Sequence, residues 1–237
     1  KGYQGANLAN GMSVAACLKH YVGYGASEAG RDYVYTEISR QTLWDTYLPP
    51  YKIGVDAGAA TIMSSFNDIS GVPGSANHYT LTEVLRNKWN FKGMVVSDWG
   101  AIMQLQSQGL AKDLKDAGMY AMNAGLDMDM MSHSYDTYLE VLVNEGKVSL
   151  ASVDEAVRRV LRVKFQLGLF ENPYTPTSKP SERFLKSESR QVASQMASES
   201  MVLLKNNGIL PLKGVGKIAV MGPMADDAHD MLGCWWG

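Results

Sequence analysis

In FKGMVVSDWGAI, residues 91–102, an apolar run ends in a carboxylate and an indole, Asp98 and Trp99. A charge that closes an apolar strand is costly unless it is paired, hydrogen-bonded or used. Asp98 is therefore either a cap or loop carboxylate or a reacting group. Trp99 is either core or an aromatic at a pocket mouth, placed to stack on the apolar face of a sugar ring. A second run, VAACLKH at 14–20, ends the same way in Lys19 and His20. Alone, such a pair is more often structural or solvent-facing than functional. Two strands that end in charged residues on one face support a shared site.

The loop after Lys19-His20 carries Glu28, Arg31 and Asp32 among glycines and alanines. These could form an ion-paired loop or reach the hydroxyl groups of a ligand. Met63 closes the run AATIMSS at 59–65 and is either core or the wall of a pocket next to Asp98 and His20. Asp127 and Asp129 alternate with methionines in AGLDMDM and read as packing and hydrogen-bonding devices at a strand end. His78 and His133 lack partners at ligand spacing, so no metal is assigned. Gly222 after KIAVM lacks the rest of a G-x-G-x-x-G fingerprint, so no dinucleotide is assigned, and no cofactor is expected.

The elements that must hold these residues alternate. Continuous β-like runs at 14–20, 59–65, 93–98 and, more weakly, 124–130 suit a parallel sheet covered on both faces. Helical patterns lie between them. One spans 39–57, with Pro49-Pro50 expected to kink or split it. A T-x-x-E capping box, Thr80 to Glu83, opens the next. Others span 113–123 and 134–145, the latter closed by Gly146, and a second box, Ser152 to Glu155, opens one running towards Gly168. Segments leading from strand to helix (21–38, 66–79, 99–112) are long, and the returns are short. Long loops therefore gather at the strand C-termini, the functional face of a closed barrel or of a doubly wound sheet.

The reading is an α/β chain: the C-terminal half of a (β/α)8 TIM-type barrel over residues 1–168, since four of eight strand–helix units are visible. A proline-rich linker follows at 169–187. Residues 188–237 start an α/β sandwich domain, with a helix at 188–206 and a buried strand at 217–223. Composition agrees with a soluble globular protein, at 46% apolar residues and a formal net charge of -2 over 237 residues. Near-neutral charge without like-charge runs disfavours nucleic-acid or membrane partners. No membrane-spanning or signal segment is evident. Cys17 and Cys234 read as unpaired, with Cys17 in the core.

The stretches CLKHYVGYGASEAGRDY, SSFNDISGVPGSANHYTLTEVLRNKWNFKGMVVSDWGAI, NAGLDMDM and ASESMVLLKNNGILPL resemble glycoside hydrolase family 3, in particular its bacterial periplasmic β-glucosidase branch. The resemblance implies a retaining exo-acting β-glycosidase that releases terminal glucose, with Asp98 as catalytic nucleophile. It implies that Lys19 and His20 bind sugar hydroxyls and keep Asp98 ionised. Met63 and Trp99 would line the subsite, and Arg31 and Glu28 would join it. The partner would be a small oligosaccharide or aryl β-glycoside, and the location periplasmic or secreted. The acid/base glutamate would come from the second domain, outside this sequence, so the chain alone is not expected to turn over substrate. A branch that uses a loop histidine instead is disfavoured, because no histidine lies between His20 and His78. The alternatives are a β-xylosidase of the same family and a non-catalytic carbohydrate-binding scaffold.

Overall fold

A computed structural model describes residues 1–174, 185–214 and 216–233. The chain divides into two compact units, Lys1–Thr175 and Pro176–Gly237.

In the first unit β1 (Cys17–Tyr21), β2 (Thr61–Ser64) and β5 (Met94–Val96) form a parallel sheet in the order β1-β2-β5. Register aligns Leu18 with Ile62 and Ile62 with Val95. Strand alternation therefore stacks these three in one row, against the helical layer. Ile62 and Val95 are fully buried there with Leu81, Val84 and Leu85. Cys17, Thr61 and Met94 fall in the alternate row, on the opposite face. Cys17, expected in the core, is exposed on that face. The run at 124–130 forms no full strand. Its contribution is one parallel bridge, Val96 to Met128.

Helix α1 (Arg40–Thr42) passes through a π-helical segment, Leu43–Tyr47, into α2 (Leu48–Asp56). Pro49-Pro50 do not split it, because they occupy the first turn of α2, where a missing N–H costs little. The wider π turn sits just ahead of them. Gly54 lets α2 lie on β1, since a Cβ there would stand 2.6 Å from Leu18 Cδ1. The next helix, Tyr79–Lys88, is also π-wound and buries Leu81, Val84 and Leu85. Its expected capping box is not made. Asn77 Oδ1 accepts the Thr80 N–H instead, and Glu83 faces His78.

After β5 come α3 (Ala101–Gln104), α4 (Leu114–Ala124), α5 (Ser134–Asn144) and α6 (Leu150–Gln166). Asp113 caps α4, and Gly125 closes it at φ 101°. The cap of α6 is Ser149, three residues ahead of the expected Ser152, and Glu155 pairs with Arg158 and Arg159. The hydroxyl at 149 wins because its side chain accepts the Ser152 N–H, which leaves Ser152 inside the first turn.

The long loops pack together. The segment after β2 folds into a hairpin, β3 (Asp68–Ile69) with β4 (Val72–Pro73), and Thr36 of the preceding loop bridges to Ile69. Gln108 of the third loop donates to Phe66 O at 2.8 Å, so all three loops form one surface.

In the second unit α7 (Ser187–Glu199) is an exposed helix, shorter than the expected 188–206. Residues 217–223 are exposed and make no strand pairing among the described residues. Most of the expected linker, residues 175–184, lies outside the described residues.

Candidate active site

Asp98 lies two residues past the end of β5 and is 8% exposed. It does not cap a helix: the N-cap of α3 is Gly100, in the left-handed region at φ 66°. The glycine permits the sharp turn that lifts SDWG off the sheet. Asp98 Oδ1 accepts the Trp99 N–H at 2.7 Å. Oδ2 lies 3.3 Å from His20 Nε2 but is not aligned with it as a hydrogen bond. One oxygen is thus held, while the other is buried without a donor among the described residues.

The backbone around Asp98 is fixed from two sides. Met63 is the register partner of Val96 on β2. On the other side Ser97 N donates to Met128 O at 2.9 Å, and Gly100 N to Met130 O at 2.8 Å. Ser97 Oγ accepts the Met130 N–H and donates to Asp98 O.

His20 reaches Asp98 from β1, where the pairing with β2 shifts between Leu18 and Tyr21. Such an irregularity re-aims side chains at a strand end. Tyr51 Oη donates to His20 O at 2.6 Å, and the Tyr24 ring lies 5.1 Å from the imidazole. Burial lowers the His20 pKa, and the Lys19 charge lowers it further, against the opposing pull of Asp98 and Asp32. The imidazole is accordingly neutral near pH 7.

The other sequence candidates are placed as follows. Lys19 is exposed and, with His20, Tyr24, Tyr47 and Tyr51, lines a cleft of about 520 Å³ along β1. It makes no ion pair with Asp98. Trp99 is half exposed beside the carboxylate, and Met63 is partly buried on β2. Glu28 and Arg31 are both exposed, and their link is a backbone one, Arg31 N to Glu28 O at 3.2 Å. Asp32 instead accepts the Tyr24 hydroxyl. His20 and Asp98 are therefore brought together, flanked by Trp99 and Met63, while Glu28 and Arg31 stand on the loop outside.

Sequence reasoning missed Tyr24, Phe66 and Tyr33. Their rings continue outward from His20, with Tyr33 centred 4.8 Å from Phe66. Their spacing offered no signal, because Phe66, which joins Tyr24 and Tyr33, comes from a different loop far along the chain. It placed Asp127 and Asp129 correctly as hydrogen-bonding devices. Asp129 accepts from Ser132 N and Ser134 N, while Asp127 binds Arg86 and Arg159.

Comparison with known proteins follows the same lines. The family model described as glycosyl hydrolase family 3 N terminal domain matches residues 1–163. A periplasmic β-glucosidase from Salmonella typhimurium is 43% identical over 99% of the chain and 32% of its own length. A putative β-xylosidase from Formosa agariphila is 39% identical over 93% of the chain and 30% of its own length. Among solved structures, a β-glucosidase from Listeria innocua matches with a TM-score of 0.79 at 40% identity, over 89% of this chain and 30% of that one. The chain thus spans about a third of the length of the curated relatives it matches. Its parallel sheet, backed by helices, is of the TIM-barrel type, and the chain belongs to glycosyl hydrolase family 3.

Proposed function

We propose that this chain carries the nucleophile of a retaining, exo-acting β-glycosidase, a β-glucosidase that releases terminal β-D-glucose. The observation that carries the reading is the unequal treatment of the two Asp98 oxygens. Oδ1 is committed to the Trp99 N–H, whereas Oδ2 is buried with no hydrogen-bond donor among the described residues. The large majority of buried side-chain polar atoms are hydrogen-bonded, so a buried carboxylate oxygen left unpartnered calls for another use.

Oδ2 attacks the anomeric carbon as the glycosidic bond breaks, and the departing oxygen takes a proton from an acid outside this chain. A glycosyl ester forms on Asp98, and water then hydrolyses it with net retention. Retention needs the two carboxyl groups about 5 Å apart. A neutral His20 donates to, or accepts from, a sugar hydroxyl without neutralising Asp98. Lys19 reaches a second hydroxyl, Trp99 and Met63 wall the ring, and Arg31 and Glu28 contact the sugar from the loop. Substrates are small oligosaccharides or aryl β-glycosides, and the location is periplasmic or secreted. The periplasmic relative supports that location, and among the described residues no helix is long and apolar enough to cross a membrane.

The test uses the full-length parent. Asp98→Ala should lower turnover of an aryl β-glucoside by at least about 10³-fold without unfolding the protein. A 2-deoxy-2-fluoro-glucoside should leave its sugar on the peptide carrying Asp98. Parental rates in the variant, or a label on another residue, overturn the assignment. The β-xylosidase-like relative supports a second reading, tested in parallel by comparing kcat/KM for aryl glucoside and xyloside.

A further inference from the structure

The strand that carries Asp98 is incompletely paired. On one side β5 has β2, but on the other a single bridge, Val96 to Met128, stands where a strand would run. The missing acceptor is supplied by a side chain. Val95 N donates to Asp127 Oδ2 at 2.8 Å, while Val95 O accepts Asp127 N and Met128 N at 3.0 and 3.1 Å. Asp127 thus acts as both backbone and side-chain partner of β5, three residues before Asp98.

The Asp127 carboxylate is itself clamped. Arg86 Nη2 donates to Oδ2 at 2.6 Å and Arg159 Nη1 to Oδ1 at 2.7 Å, and the Asp127 side chain is 1% exposed. Arg86 also donates to Phe91 O and Gly93 O at 2.9 and 2.7 Å, gripping the entry to β5. Burial raises the Asp127 pKa against the pull of both guanidiniums and lowers that of Arg86 to about 10. Both shifts record the same desolvation cost. A buried ion cluster of this kind adds little net stability compared with apolar packing, so stability alone does not explain it. What it does supply is a fixed position. The segment it anchors continues into Met128 and Met130, which bind Ser97 and Gly100 on either side of Asp98.

We propose that Asp127, held by Arg86 and Arg159, is a positioning residue that sets the line of attack of Asp98. This rests on the reading of Asp98 as nucleophile. Loss of the clamp lets the SDWG turn drift, and displacement of a reacting group by about 1 Å costs on the order of 10²-fold in rate.

The test is made in the full-length parent with Asp127→Asn, which keeps size but puts an amide against two guanidiniums. Inactivation by a 2-deoxy-2-fluoro-glucoside bearing a good leaving group separates the chemical step from binding. Thermal midpoint is measured alongside. The expected result is a limiting inactivation rate constant lowered roughly 10- to 100-fold. Inactivator binding should stay within about threefold, and the label should remain on Asp98. A rate constant within twofold of the parent, even with a lower midpoint, makes Asp127 merely structural and overturns the proposal. Should Asp127→Asn not fold, Arg159→Lys keeps the charge but loses the planar fork. A several-fold drop in the same rate constant then supports the clamp, and an unchanged one overturns it. A label away from Asp98 in the parent itself removes the nucleophile reading, a separate failure.

Discussion

His20 Nε2 and Asp98 Oδ2 stand 3.3 Å apart although their strands, β1 and β5, do not pair with each other. Strand β2 lies between them, so the backbones are separated by about two strand spacings of 4.8 Å. Contact is made by side chains leaning over the end of β2, from a histidine re-aimed by the shifted register and an aspartate lifted by the Gly100 turn. His20→Ala removes the group nearest to Oδ2 and leaves a buried carboxylate oxygen facing a void. In the parent enzyme kcat/KM for an aryl β-glucoside should fall by about 10²-fold or more, as for loss of an oriented polar group in a site. Activity within threefold of the parent would remove His20 from the site.

The two histidines that differ most in surroundings should titrate in opposite directions. His20 is lowered from its ordinary 6.5 by burial and by Lys19, whereas His133 is raised by its hydrogen bond to Asp136 at 3.0 Å. His20 therefore contributes stability that is present above pH 6.5 and lost as pH falls through its folded value. His133 contributes stability that is present below pH 6.5 and lost as pH rises through its own. NMR titration of the ring protons should put His20 below His133, with 6.5 between them. The reverse order would contradict the burial of His20 and the hydrogen bond between His133 and Asp136.

The sheet strands were legible because MVV and AATIM are runs rich in apolar and β-branched residues without alternation, which suit buried parallel strands. Asp98 stood out for the same reason, as a charge that breaks such a run. The contact with His20 was not legible, since it depends on a register shift that no spacing rule records. Helix starts misled where two side chains competed: the Ser149 hydroxyl rather than that of Ser152 took one cap, and the Asn77 amide oxygen took the Thr80 N–H. Pro49-Pro50 read as a break because the π turn that precedes them leaves no pattern in residue types. The Arg86–Asp127–Arg159 cluster joins residues 41 and 32 positions apart, so only the fold could assemble it.

Lys19 should act through binding rather than through Asp98. It is exposed in the cleft it shares with His20 and Tyr24, and it makes no salt bridge among the described residues. A hydrogen bond from an ammonium group to a hydroxyl is worth about 1.5–3 kcal/mol. Lys19→Ala in the parent should therefore raise the inhibition constant of free glucose roughly 10- to 100-fold. Inhibition by glucose equal to the parent's would take Lys19 out of the sugar site.

Gly93 is a position where one methyl group should disturb the whole site from below. A Cβ there would stand 2.1 Å from Ala60 O and 2.6 Å from Phe91 Cζ. Ala60 O cannot retreat, because it accepts the Met94 N–H at 3.2 Å at the start of the β2–β5 ladder. Gly93 O is likewise held, by Arg86 Nη1 at 2.7 Å. Overpacking against fixed backbone costs typically about 1–3 kcal/mol, and here either the ladder or the Arg86 grip must give. Gly93→Ala in the parent should lower the thermal midpoint of the transition that reports the barrel. Gly25→Ala, with no heavy atom within 4 Å of its added Cβ, is the matched control and should shift it little. Equal midpoints for the two variants would mean that β5 is not held against Ala60, and that Asp98 depends on other anchors.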